Sequence, residues 1–478
     1  MFKKNSLVKT SVISVSLIVS FVSLFLSNEG SYRFVPVIPF SFFLSVLLFR
    51  EIFDDVPSNF GATMLVFLMF FRSVVYVLVY QLSGHYSRIP NVTDSIELAC
   101  WLMAIENVVV FLVLWFMQNK KSAFVRRIDK KQRLVTYNEK KMNWVILVLL
   151  VLFLMTILIV PDCLRFYKTF LQIGDSQFTS NETEVSFIVA TYGNTFVRKL
   201  VMVIHTYLMK LLRFLIPLQL IVLVFKRDKK RKRFLLCCLF SLSTLLVLDG
   251  SIARSVIYSF SLLYVSAMLY SKKQSLYRII GLTAFAVACY FAIRLSVSTS
   301  SNGSFSPVQY TSGLFGAYFS GIDNTAAVIR LESSLPERFL YLACDYFQSI
   351  PFGNTIFGVS DVSFQSFFNS FNSVQGQIPT TIGVGYYYFG FLGAPLYSAL
   401  FAFLAYRFGI RASHSNDPLL CGIFAFGSLI SAMGIVSYYV QISFASLLGP
   451  FLQLLILSYF VKERRPCLGG QLNESFAN

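Results

Sequence analysis

Twelve apolar stretches, most of them near 20 residues long and separated by short charged punctuation, run through this sequence. They lie near 7–26, 34–49, 61–82, 98–117, 144–164 and 200–225, then 234–248, 255–270, 279–296, 382–405, 418–438 and 441–460. A helix needs about 20 consecutive apolar residues to cross a bilayer, because backbone N–H and C=O groups in lipid must be satisfied within the segment. Charged residues make up 13% of the chain, against roughly 25% in soluble domains. The spacing therefore predicts an all-α polytopic membrane protein of about twelve transmembrane helices, one domain over residues 1–478. The second stretch is short and interrupted by Pro36 and Pro39.

The net charge is +18, and its placement excludes a nucleic-acid partner more firmly than its size suggests one. Basic residues cluster in runs such as KRDKKRKR (226–233), flanked on both sides by apolar stretches and lacking an aromatic binding platform. Such runs set orientation and meet anionic membrane lipids. With the N-terminus inside and Lys9 counted with it, cytoplasmic segments hold 28 of the 41 Lys and Arg residues and outer segments hold 9. The bias predicts a multi-pass inner- or plasma-membrane protein with both termini cytoplasmic. The first stretch follows Lys3 and Lys4 without a small-residue cleavage pattern, as a retained helix does. The eight cysteines show neither metal-ligand spacing nor a disulfide framework.

Two outer segments are long, 165–199 and 297–381. The second far exceeds what a connector needs. It opens on SVSTSSNGSFSP and continues with an amphipathic pattern around Asp323–Glu332 and a helical stretch at 336–347. It ends in the aromatic, amide-rich FQSFFNSFNSVQGQ. This composition suits an extracytoplasmic lid on the outer face of the membrane. No internal repeat of the kind that builds two-halved transporters is present.

Nucleotide and metalloenzyme motifs are absent: no Walker loop, G-x-G-x-x-G, H-E-x-x-H or C-x-x-C occurs, so neither metal nor cofactor is expected. Cations inside or beside spans carry more information, because placing one in the bilayer costs at least about 2.5–3.5 kcal/mol. Arg72 lies mid-span, Lys210 and Arg213 are three apart on one helical face, Arg254 closes the hairpin DGSIAR, and Arg294 is near the outer end of its span. Snorkelling accounts for some of them, and Glu106 is an available partner for Arg72. As a set they suit an anion site open to the outside, since guanidiniums match phosphate oxygens. Among the outer carboxylates, Asp323, Glu337 and Asp345 are candidate general bases, with Arg330 and Arg338 as their ion-pair partners or as contacts to a glycan. His85 and His205 are weaker candidates, and His414 lies in a cytoplasmic loop.

The run 368–408, FNSFNSVQGQIPTTIGVGYYYFGFLGAPLYSALFAFLAYRF, resembles the end of the large outer loop and the following helix of bacterial oligosaccharide repeat-unit polymerases, the Wzy-type enzymes of O-antigen and capsule. The matching residues are Pro379, Thr380, Thr381, Ile382, Gly383, and the Phe389–Gly390 to Gly393 pattern. The hairpin with Arg254 is similar to the Gly–Ser–Arg turn of that family, although two residues separate Ser251 from Arg254 here. Val384 stands where the family often has an acidic residue, which leaves the base unassigned. The resemblance implies a metal-independent, C-type glycosyltransferase fold. It implies polymerisation of undecaprenyl-diphosphate-linked oligosaccharides on the outer face, alongside a flippase and a chain-length regulator. Arg72, Lys210, Arg213, Arg254 and Arg294 would hold the lipid diphosphate, and a carboxylate of the long loop would deprotonate the acceptor. The main alternative is a lipid-linked oligosaccharide flippase of the same pathway, against which the long outer segment stands. A solute transporter and an outer-face ligase or acyltransferase are further alternatives.

Overall fold

The structure, a computed structural model, describes residues 2–27, 30–55, 59–122, 125, 135–164, 193–227, 231–246, 252–270, 306–351, 353–357, 362–374 and 377–464. The span expected at 279–296, most of the outer segment at 165–199, and Arg294 lie outside the described residues. Apart from turns and connecting loops, the described residues are helical, with one three-residue antiparallel ladder, β1 (Val135–Tyr137) with β2 (Lys462–Arg464).

In chain order the first helices are α1 (Phe2–Leu26), α2 (Val37–Leu48), α3 (Ile52–Asp55), α4 (Phe60–Phe70), α5 (Tyr76–Leu82) and α6 (Ile96–Asn119). They are followed by α7 (Glu139–Ile159), α8 (Phe196–Arg227), α9 (Arg231–Leu242) and α10 (Ile252–Leu269). The long outer segment forms α11 (Pro307–Tyr318), α12 (Ile322–Ile329), α13 (Leu335–Ser349), α14 (Gly353–Phe357) and α15 (Phe364–Phe371). The chain then returns through α16 (Thr381–Gly393), α17 (Leu396–Ser413), α18 (Pro418–Val436), α19 (Val440–Ser446) and α20 (Leu452–Val461). Among the described residues eight helical stretches are long and apolar enough to cross a membrane, and nine if α16 and α17 count as one. The helices α9 and α10 are apolar but shorter.

The tenth expected span, 382–405, is not one helix. Its two parts, α16 and α17, meet at 109°. Gly390 takes φ 71°, ψ −171°, a backbone region essentially reserved for glycine, and Pro395 stands directly before α17. Beyond the bend the Ala394 carbonyl oxygen comes within 2.1 Å of where a Cβ on Gly385 would sit, so no larger residue fits there. Helix α17 alone, with 18 residues, is about 27 Å long and nearly matches the hydrocarbon thickness.

Close approach of backbones and a few satisfied polar groups hold the interior, as expected where lipid removes the hydrophobic drive between helices. A Cβ on Gly61 would lie 1.9 Å from the Ala405 carbonyl oxygen, which brings α4 against α17. Asn59 caps α4 through the Ala62 N–H (3.2 Å) and donates to the Tyr406 carbonyl (3.2 Å). Asn107 joins three elements by donating to Ser41 Oγ (2.9 Å) and accepting from Ser73 (2.9 Å).

The two ends of the bundle are tied separately. At one end the β1–β2 ladder joins the lead-in to α7 with the end of α20, and Lys226 pairs with Glu139 at 2.7 Å. At the other, Arg330 of the long segment donates to the Pro90 carbonyl (3.0 Å), and Ser349 donates to the Gln441 carbonyl (3.2 Å). The loops before α6, between α12 and α16, and between α18 and α19 thus gather on one side, as the alternation of spans predicts.

Candidate functional site

Helices α12 and α13 place two carboxylates under the gathered loops. Asp323 stands in the first turn of α12 and is buried. Tyr80, the last-turn tyrosine of α5, donates to its Oδ1 at 2.7 Å. Burial pushes its carboxyl up to about 7, with donation from Tyr80 and Ser87 opposing the shift. Around it, His85 stacks on Tyr32 (ring centroids 4.2 Å) and lies edge-on to Tyr80 (5.4 Å), and burial lowers the His85 pKa. Gly321 is required at the entrance to α12, because a Cβ there would meet the Tyr76 hydroxyl at 2.2 Å.

The motif around Pro379 fixes this helix. Asn324 donates to the Ile378 carbonyl (2.7 Å), and Thr325 donates to Thr380 Oγ1 (3.1 Å). Thr380 in turn caps α16 through the Gly383 N–H (3.0 Å). Thr381 donates to the carbonyls of Gly434 and, at 3.0 Å, Tyr438. The hydroxylic pair and its glycine therefore join the long segment to the end of α18.

Asp345, on the inner face of α13, is only 4% exposed. Its Oδ1 accepts from the Phe364 N–H (3.2 Å) in the first turn of α15, and its Oδ2 accepts from Tyr388 (3.2 Å). Burial pushes this carboxyl to about 7 as well, against those two donors. Tyr346 and Tyr397 share a hydroxyl contact of 3.1 Å nearby, and Tyr439 lies within electrostatic range of the carboxylate. One turn beyond Asp345, Ser349 reaches the Gln441 backbone, while Tyr439 donates to the Gln441 side chain (2.9 Å).

Gln441 opens onto a cleft of about 150 Å³ between α8, α10, α18 and α19. Lys210, Tyr207, Tyr258 and Ser446 line it with the apolar Ile257, Phe426, Ile430 and Pro450. Lys210 lies 5.2 Å from the Tyr207 ring centre. A cation, hydroxyls and an amide in an apolar cleft suit an anionic headgroup. The turn 437–439 and the first residues of α19 thus lie between a buried carboxylate and a cation-lined cleft.

The other residues singled out in the sequence have different positions. Arg72 is buried mid-span within a π-helical turn, Phe71–Val75, and pairs with Glu106 at 2.6 Å. It also donates to the Ile435 carbonyl (3.2 Å), and Ser398 donates to the other Glu106 oxygen. The charge of this intramembrane cation is therefore met by an internal carboxylate within the bundle, not by an open site, while its Nε and Nη2 are buried without a hydrogen-bond partner. Arg213 is buried one turn below Lys210 and donates to the Thr244 carbonyl and to Ser255, bracing α8 against α10. Arg254 is in the first turn of α10, adjacent to that Ser255 contact, and residues 247–251 of its hairpin lie outside the described residues. Glu337 serves as a helix cap rather than a base: exposed, it accepts from the N–H (2.8 Å) and hydroxyl (2.9 Å) of Ser334, which lower its pKa. Arg338 donates to Ser333 (3.3 Å) and lies 5.3 Å from the Tyr387 ring centre, so both it and Arg330 fasten the long segment down.

Sequence reasoning marked Tyr386, Tyr387 and Tyr388 only as stacking or interfacial-belt aromatics, and missed Tyr76, Tyr80, Tyr439 and Gln441. Tyr76 and Tyr80 stand four apart, one helical face, and that spacing was a usable signal. Nothing local marks Tyr388, Tyr439 or Gln441 as partners of α13. No family model, curated protein or solved structure matches the chain.

Proposed function

We propose that this protein polymerises polyprenyl-diphosphate-linked oligosaccharide units into a surface polysaccharide on the outer face of the membrane. The reading is supported chiefly by one arrangement: a buried carboxylate, Asp345, joined by Ser349 and Gln441 to the cleft holding Lys210. In this mechanism an acceptor sugar hydroxyl attacks the anomeric carbon of the growing chain. The bond from that carbon to the diphosphate breaks, and the lipid diphosphate leaves with its electron pair. Asp345 takes the hydroxyl proton, a task suited to a carboxyl whose pKa burial has moved to about 7. Lys210 in the cleft, with Arg254 at the start of α10, offsets charge growing on the leaving diphosphate. Tyr388, half-buried beside Asp345, supplies a face for a sugar ring.

The test uses cells lacking the gene, complemented with Asp345→Asn or Lys210→Met. Single-unit surface glycan, with the variant protein at normal membrane abundance, supports polymerisation. Unchanged polymer length in both variants overturns it. Lipid-linked units trapped on the inner face would instead make the protein a flippase.

A further inference from the structure

Helix α13 is amphipathic in the inverted sense for a segment bathed in water. Its buried side carries Cys344, Asp345 and Ser349. Its exposed side carries Leu335, Phe339, Leu340, Tyr346, Phe347 and Ile350, with Phe339 68% exposed. The next helix continues the pattern, since Ile356 is 68% exposed and the Phe357 ring lies tilted against Phe347 with centroids 4.6 Å apart. A water-facing helix of this composition would present its polar residues outward.

The apolar face is continuous with the surface of the spans. Tyr346 meets Tyr397 and the Phe444 ring (5.5 Å), and Tyr397 packs on Phe389 at 5.5 Å. Phe389, Phe391 and Leu392 protrude from the α16–α17 bend, Leu392 at 91% exposure, and lead directly to exposed Leu396 and Leu400 of α17. The same kind of apolar exposure clothes α1 and α7, where lipid is the only sensible neighbour.

We infer that α13 and α14 lie in the outer leaflet of the bilayer, their exposed faces immersed among acyl chains, so that the long segment is a membrane-embedded element and not an aqueous lid. Charge distribution agrees: Glu332 and Glu337 are exposed at the start of α13, whereas the exposed side from Phe339 to Ile350 carries no charged residue. The polar inward side then holds Asp345 at the level of the lipid headgroups. This placement is independent of the reaction proposed above.

The experiment is depth-dependent fluorescence quenching on the full chain in vesicles of phosphatidylglycerol and phosphatidylethanolamine. Phe347→Trp and Ile356→Trp are each read as the emission added to that of the parent protein's three tryptophans. Glu332→Trp is the aqueous control. Vesicles with brominated acyl chains should remove most of the added emission at 347 and 356, while iodide in the buffer should leave it unchanged. The control should show the opposite. Iodide quenching at 347 and 356 equal to the control overturns the inference, as does protection from both quenchers, which would mean that a second copy covers the face. Two positions on different helices, each checked for an unchanged elution profile in detergent, separate the result from misfolding.

Discussion

The middle of the bundle and its capped end both bury carboxylates, but they satisfy them differently. Glu106, mid-span, has a guanidinium at 2.6 Å and a serine hydroxyl on its other oxygen. Asp323 and Asp345, at the capped end, have tyrosine hydroxyls and, for Asp345, one backbone N–H. A carboxylate facing a cation serves as a tie between the helices that carry the two charges. One facing neutral donors in a buried place has its pKa raised into the range where it exchanges protons near neutrality. Burial alone therefore does not mark a reactive group; the charge of its partner does.

The largest effect that would break this contrast concerns Asp345. Asparagine there should reduce polymer synthesis in membranes by about 10²–10⁴-fold, the usual contribution of a general base, while Asp323→Asn should leave most of it. Equal losses in the two variants would show that the two carboxylates are not functionally distinct. Next comes Glu106→Gln, which leaves Arg72 buried without its counter-charge and should destabilise the fold by about 3–5 kcal/mol, read as thermal inactivation in detergent. Tyr80→Phe removes the donor to Asp323 and should cost about 1–3 kcal/mol in the same assay.

The pH dependence sharpens the comparison further. Polymerisation should rise as pH passes through about 7, because Asp345 must be ionised to accept a proton. Stability should run the other way. A carboxyl raised from 3.8 to about 7 in the fold contributes stability at low pH that is lost as pH rises through 7. Asp323→Asn should flatten part of that fall in a series of melting curves from pH 5 to 8 without shifting the activity profile. Glu337→Gln should have the smallest consequence, a slightly frayed start to α13 with polymer unchanged, since its partners are both on exposed Ser334.

Much of the architecture was legible in the chain, because apolar length is a one-dimensional property. Eleven of the expected stretches correspond to described helices, counting the bent α16–α17 pair once and the shorter α9 and α10. The two helices expected within the long segment are there as α12 and α13. Hydropathy could not reveal the 109° bend, since Gly390 and Pro395 interrupt backbone geometry without interrupting apolar composition. Nor could it separate the cations: Arg72 and Lys210 both read as charges in apolar runs, and only packing sets one against Glu106 and the other beside the Tyr207 ring in the lining of a cleft.

The sequence by itself determined that the chain lives in a membrane, how its apolar segments alternate, and that Asp323 and Asp345 belong to one long segment on one side. Those properties depend on neighbours along the chain. The tertiary structure decided that Asp345 looks inward to Tyr388 and Ser349 to the Gln441 carbonyl, while Phe339 and Phe347, on the same helix, look outward. That choice depends on residues up to 92 positions apart in the sequence, Ser349 and Gln441, which no local pattern can bring together.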